Sequence, residues 1–318
     1  MTFLEIKHRV FDRIQVSRTQ TGTLNDTIGG FVNQWHRKIL VQPVFDGFRK
    51  TQVTLATVAD QWRYGTKLLK IDHITERTND RRLIKKTESW WRKNYPDPTE
   101  GTGDSEYWIP LGQTRIKQRP ANASELFAIS SSASDTNTIS VEVVRSNGEV
   151  SLLSLPMTGA TAVSLSSFIT DVVDVLDVYL SAVAVGTVTL REDSGVGTVL
   201  SEIAIGESKP RYTQLVLVPT PSSALTYFLD GTARMTDLVD DFDEPLIYED
   251  FHDILIDGAV YEYWLSHGRT KEAQWLRDEI EKFTQRMRGW AYWEFEQDET
   301  DMEQEAFNPL DRLTLPLT

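Results

Sequence analysis

Apolar residues recur at helical spacing from the start of the chain. Phe3, Ile6, Val10 and Ile14 lie three or four apart, with Leu4 and Phe11 beside them, and this spacing predicts an amphipathic helix. Ser17-Arg18-Thr19-Gln20-Thr21-Gly22 breaks the pattern. Asn25 and Asp26 are suited to cap a second helix, in which Ile28, Phe31, Val32, Trp35 and Ile39 share a face and which Pro43 stops. From residue 51 the period shortens to two. Residues 51–55 and 69–75 alternate or nearly so, residues 83–86 read as a short strand, and a short helical piece around Trp90 and Trp91 ends before Pro96. Strand text resumes at 107–109 and 114–117 after the Gly101-Thr102-Gly103 loop.

At about residue 121 the text changes again. Residues 121–207 hold two basic residues and no Trp, and are dense in Ser, Thr, Val and Ala. Apolar runs at 139–143 and 150–155 flank Ser146-Asn147-Gly148, and an Asn-Gly between such runs predicts a tight hairpin. Period-two patterning continues at 178–185, 187–190 and 199–205, so the segment reads as a small immunoglobulin-like β-sandwich, without the Cys pair or core Trp of a true immunoglobulin domain. Strand text at 215–218 and 224–229 precedes two further helices, one carrying Ile254, Leu255, Ala259 and Tyr263 and the next Ala273, Leu276, Ile280, Phe283 and Met287. The expected organisation is α+β. A discontinuous core of helices and a small mixed sheet spans 1–120 and 208–293, and the all-β sandwich over 121–207 is inserted between Pro120 and Pro210. An acidic tail over 294–318 stays extended unless a partner orders it.

Charge sharpens this division. The 318 residues carry a net charge of −14, but 1–120 hold 21 Lys and Arg against 13 Asp and Glu, whereas 121–207 hold 2 against 11 and 208–318 hold 10 against 23. A basic third followed by two acidic thirds does not describe a simple nucleic-acid binder; it suits head-to-tail pairing of copies, or a surface to which polyanions must not stick. The 0 Cys exclude disulfides, thiolate metal sites and Cys nucleophiles. No apolar run reaches the length of a membrane span, and the first residues lack the layout of a secretory signal.

Catalytic motifs are absent from the pattern. His8, His36, His73, His252 and His267 fall in no metal-ligand spacing, there is no Gly-x-Ser-x-Gly elbow, and Gly101-Thr102-Gly103-Asp104 lacks the Lys of a phosphate loop, so no cofactor or metal is expected. Asp240, Asp241, Asp243 and Glu244 read as helix-start chemistry rather than a Ca²⁺ loop. A carbohydrate-binding or adhesive protein using the β-sandwich as recognition module is the alternative reading, and a hydrolase with carboxylates distant in sequence remains open. Trp62, Trp90, Trp91 and Trp108 are the residues from which a sugar platform would be built.

Phe3-Leu4-Glu5-Ile6-Lys7-His8-Arg9-Val10 followed by Ile28-Gly29-Gly30-Phe31-Val32-Asn33-Gln34-Trp35-His36-Arg37 resembles the first two helices of the head-to-tail adaptors of tailed bacteriophages, the neck connector or head-completion proteins. Glu244-Pro245, Tyr248 and Phe251-His252 ahead of Gly258-Ala259 are similar to the start of that family's main helical hairpin, and the stretch from Lys271 to Leu276 to its second arm. The resemblance covers about 230 residues outside the insert, and it rests on the order of the segments. It implies a helical-hairpin adaptor core, no enzymatic activity and a ring of copies, commonly twelve, in the virion neck, assembled in the host cytoplasm. The ring would join the portal protein to a stopper or tail protein and continue the channel through which double-stranded DNA passes without sequence-specific contact. Trp290, Trp293, Phe295 and Phe307 are the candidate portal-docking residues, and Arg81, Arg82, Lys85 and Lys86 the candidate ring interface.

Overall fold

The computed structural model describes residues 1–19, 22–97, 101–165 and 169–295. Contacts divide the chain into two units at Arg49/Lys50 and Arg234/Met235, so that both ends of the chain build the first unit and residues 121–207 fall in the second.

The first unit holds helices α1 (Phe3–Arg13), α2 (Thr23–Leu40), α4 (Asp253–Ser266) and α5 (Thr270–Phe295); the short α3 (Glu88–Asn94) belongs to the second. Thr2 starts α1 with a capping box: its hydroxyl accepts from the Glu5 N–H while the Glu5 carboxylate accepts from the Thr2 N–H, satisfying two donors that a helix start leaves open. Asn25 and Asp26 do not cap α2, which begins two residues earlier, after Gly22 at φ +75°. The acidic cluster does not start α4 either. Its backbone carbonyls at Asp243 and Asp241 receive the Phe3 and Leu4 N–H groups at 2.7 and 3.0 Å, and Asp241 pairs with Lys7, so the cluster closes the open end of α1 instead.

Helix α4 is the centre of this unit. Ile254, Leu255, Ile256, Ala259 and Val260 are all buried, and the helix packs against α1, α2 and α5. Gly258 admits the Trp35 indole of α2: a Cβ there would stand 2.3 Å from the Trp35 Cγ. Asn33 ties α2 to the returning chain, donating to the Leu238 carbonyl (2.9 Å) and accepting from the Leu238 N–H (2.8 Å) in a buried setting. His36 and His252 lie in the same region. His36 Nε2 accepts from the Leu246 N–H, and His252 Nε2 donates to the Ile247 carbonyl at 2.7 Å. Burial, and after it the neighbouring His252, pushes the His36 imidazole down to about 4. Burial lowers His252 too, against the pull of its bond to Ile247.

The second unit is built from strands: β1 (Lys50–Ala56), β2 (Arg63–Thr66), β3 (Leu68–Glu76), β4 (Arg81–Arg82), β5 (Ile84–Lys85), β6 (Thr102–Gly103), β7 (Tyr107–Thr114), β8 (Leu126–Ser130), β9 (Thr138–Arg145), β10 (Val150–Pro156), β11 (Val163–Ser164), β12 (Val172–Leu180), β13 (Val188–Glu192), β14 (Val199–Ile203), β15 (Tyr212–Val218), β16 (Thr220–Pro221) and β17 (Thr226–Ala233). Sheets β1-β17-β3-β4 and β2-β15-β7-β5 share a core of Leu55, Tyr64, Ile74, Trp108, Leu215 and Tyr227. Strand β15 is buried on both faces, because its even positions Val216 and Val218 meet a second cluster under α3. Sheets β10-β9-β12 and β11-β8-β13-β14 enclose a core of their own, with Val141, Val143, Leu190 and Leu200 at its centre.

This is not the α+β fold expected, with a helical-hairpin adaptor core and an inserted immunoglobulin-like sandwich. Strand makes up 33% and helix 29%, and small sheets dominate the chain. The strands at 50–119 and 211–233 bury their apolar faces against one another and α3, in a different unit from α1, α2, α4 and α5. Periodicity marks which residues alternate, and it is silent on which layer they pack against. In the immunoglobulin arrangement the third strand crosses to the opposite sheet. Here the turn at Asn147-Gly148, with Gly148 at φ +82°, pins β10 beside β9 in one sheet, with Val150 facing Val144.

Two outcomes follow from the helical unit. Gly258→Ala is expected to lower stability by about 2 kcal/mol through overpacking against Trp35, although an exposed helical Gly→Ala gains about 1 kcal/mol; urea melts read the sign. Because both histidines stay neutral in the fold while the unfolded chain protonates below about pH 6.5, stability falls as pH drops from there towards about 4. His36→Gln keeps an acceptor for Leu246 without the titration, and should lose about 2 kcal/mol less than the parent between about pH 6.5 and 4.5. Equal pH slopes for the two chains would remove His36 from the account.

Candidate functional site

The basic run at 81–86 stitches two sheets of the second unit together. Arg81 and Arg82 form β4 at the edge of one sheet, Ile84 and Lys85 form β5 at the edge of the next, and buried Leu83 sits between them, its N–H on the Ile74 carbonyl. The four cations that sequence groups together therefore do different work. Arg81 points inward: its Nη2 reaches the Glu76 carboxylate (3.2 Å) and the Ser105 carbonyl (3.0 Å), and Glu76 is 1% exposed. Arg82 lies against the His73 ring. Lys85 and Lys86 instead lie over aromatic faces, with no ion pair among the described residues.

Register explains this. Strand β5 runs parallel to β7 with Ile84 opposite Tyr107 and Lys85 opposite Trp108, which brings Lys85 Nζ to 5.1 Å from the Trp108 ring centroid. Lys86 lies 5.2 Å from Trp90 and 5.5 Å from Tyr107. Helix α3 supplies the rest of the cluster. Thr87 caps it by accepting from the Trp90 N–H, and the helix places Trp90 4.9 Å from Tyr107 and Trp91 5.6 Å from Trp62. Arg92, paired with Glu88, covers the Trp91 ring. The product is a surface of cations on aromatic rings. Lys85 and Lys86 leave such a cluster suited to contact with an acidic protein face, since these two cations are held by rings rather than paired with a carboxylate among the described residues. Of the four tryptophans considered for a sugar platform, Trp91 and Trp108 are buried, and packing accounts for them.

Trp290 lies in the first unit and faces inward. It stacks on Phe48 at 5.7 Å and 16°, meets Tyr248 edge-on at 4.9 Å, and touches Phe251 at 5.3 Å. It is part of the packing of α5 against the segment after α2 and the start of α4, not an anchor on a free tail. Trp293 and Phe295 fall on the last turn of α5, with side chains outside the described residues; Phe307 also lies outside them. Among the described residues no three His, Cys, Asp or Glu side chains converge as metal ligands, and no helix is long and apolar enough to cross a membrane.

No protein-family model matches the chain, and no curated protein matches it significantly.

The division of labour within the basic run is measurable. Arg81→Ala leaves a buried carboxylate without its charged partner and is expected to cost about 3 kcal/mol. Lys85→Gln and Lys86→Gln each forfeit cation–ring contacts without leaving a buried charge unpaired, about 0.5–1 kcal/mol. Chemical denaturation of the three variants separates the two roles, and a Lys86 variant as unstable as the Arg81 one would contradict the assignment.

Proposed function

We propose that the chain is a structural, non-enzymatic protein of the virion neck, whose copies close into a ring between the portal and a stopper or tail protein and continue the DNA channel. The observation that carries this reading is α5. It runs 26 residues, roughly 39 Å at 1.5 Å per residue. Among its described side chains the buried ones, Ala273, Leu276, Ile280, Met287 and Ala291, fall on one stripe. Another flank holds Trp275 at 64% exposure. An exposed indole on the flank of a long helix is the kind of residue that anchors a protein–protein contact. The uneven charge along the chain supports a heterologous contact, in which one face of a copy meets a different face of the next. The order of segments supports the reading as well, since the two opening helices and the last two pack in one unit, α1 and α2 against α4 and α4 against α5.

The test is mass determination with negative-stain imaging over rising concentration, alone and then with portal protein. Twelve copies of the 36.3 kDa chain give rings of about 436 kDa with a central hole. Trp275→Glu is expected to raise the concentration at which rings form by about tenfold or more, by placing a charge in the contact. A chain lacking 296–318 is expected to form the ring and to lose portal docking. Particles that stay monomeric both alone and with the portal would overturn the reading.

A further inference from the structure

Four cations from three places in the sequence line one cleft of the second unit, about 390 Å³ in volume: Arg115, Lys209, Arg211 and Arg234. Strand pairing brings them together. Tyr212 at the start of β15 faces Thr114 at the end of β7, so Arg211 and Arg115 flank the same end of that ladder. Arg234 follows the last residue of β17, in the neighbouring sheet, and its Nη2 donates to the Thr213 hydroxyl at 3.3 Å.

Carboxylates answer only part of this charge. Arg115 pairs with Asp177 at 2.8 Å, and Arg211 stands 3.8 Å from Glu207, too far for a hydrogen bond. Lys209 lies over the Tyr179 ring at 5.7 Å. Arg234 has no ion pair among the described residues, and its Nε is buried without a hydrogen-bond partner. A buried donor left open is costly, and two guanidinium groups facing one cleft repel each other unless an anion lies between them. Burial first, and Arg211 second, lower the pKa of Arg234, and Glu207 offsets this only in part.

We propose that this cleft is an oxyanion site that binds a phosphate group carried by a small ligand, with Arg234 and Arg211 as its principal donors. Phosphate fits better than a single carboxylate. Two cations are in excess, the donors approach from different strands, and the guanidinium fork matches phosphate oxygens. The Thr114 and Ser208 hydroxyls in the lining add neutral donors. The volume lies in the range of small-molecule sites, which leaves room for a phosphate ester or a diphosphate beyond a lone ion. Nothing in this assignment depends on ring formation.

Calorimetric titration and thermal melts of the full chain with pyrophosphate, inorganic phosphate and a short DNA duplex test it. Pyrophosphate is expected to bind and to raise the melting temperature. Arg234→Gln and Arg211→Gln should each weaken binding by about tenfold, the loss of a charge-assisted contact. Arg211 has a side chain 65% exposed, so its variant reports on binding even where Arg234→Gln impairs folding. Lys282→Gln on α5 removes the same charge in the other unit and should leave affinity unchanged. The assignment fails if millimolar pyrophosphate does not bind, or if all three variants weaken it alike. A duplex that displaces pyrophosphate would transfer the site to a nucleic-acid backbone and overturn the small-ligand assignment, whereas a duplex that does not displace it supports that assignment.

Discussion

The pairing of β1 with β17 is the constraint on which the rest of the chain depends. A unit built from both ends of a chain closes only if whatever lies between starts and finishes in the same place. Lys50 faces Thr232 across the antiparallel ladder, and the pairing runs on to Ala56 opposite Thr226. The 185 residues from Lys50 to Arg234 therefore leave and return side by side. Without that ladder, α1 and α2 would have to find α4 and α5 across a long loose loop, and the closure entropy of the loop would fall on the helical core. Strand β17 also pairs with β3, so the ladder that returns the chain is an interior element of its sheet and not a frayed edge.

Within the helical unit, specificity comes from groups that tolerate one arrangement. Leu, Ile and Val on α4 would bury against many partners, but Gly258 accepts an indole from one direction only. Asn33 presents one donor and one acceptor to the carbonyl and the N–H of a single residue, Leu238, and sliding α2 by a turn would leave both buried groups open. The neutral His36 acts in the same way on Leu246. These polar contacts add little net energy when made and cost much when broken, so they select the register that the apolar faces leave free.

Local structure was largely legible in the sequence, and its assembly was not. The apolar spacing of α1, α2, α4 and α5 and the alternation of β9 and β10 around Asn147-Gly148 read directly, because each depends on neighbours a few residues away. The pairing of β17 with both β1 and β3 depends on residues about 150 or more apart, and periodicity has no access to that distance. The same limit governed the sites. Arg81 and Lys85 look alike as text; only the register of β4 and β5 turns one onto a buried carboxylate and the other onto an indole. Trp290 reads in the sequence as a tail anchor because it stands near the acidic end, yet its ring partners Phe48, Tyr248 and Phe251 come from segments a sequence window does not join to it.

The basic cleft is the hardest of these features to see in advance, and charge shows why it matters. A protein of net charge −14 repels anions at long range, so general basicity explains nothing about Arg211 and Arg234. Repulsion from distant carboxylates is screened within about 8 Å at physiological salt, whereas contact between a guanidinium and an oxyanion in a partly closed cleft is screened much less. The two effects act in opposite directions on where an anion settles: the bulk of the surface turns it away, and a cleft with cations in excess keeps it. A uniformly basic surface would bind polyanions anywhere along it. An acidic chain with a concave basic site discriminates by shape, because only a ligand small enough to enter the cleft exchanges the repulsive field outside for the donors within.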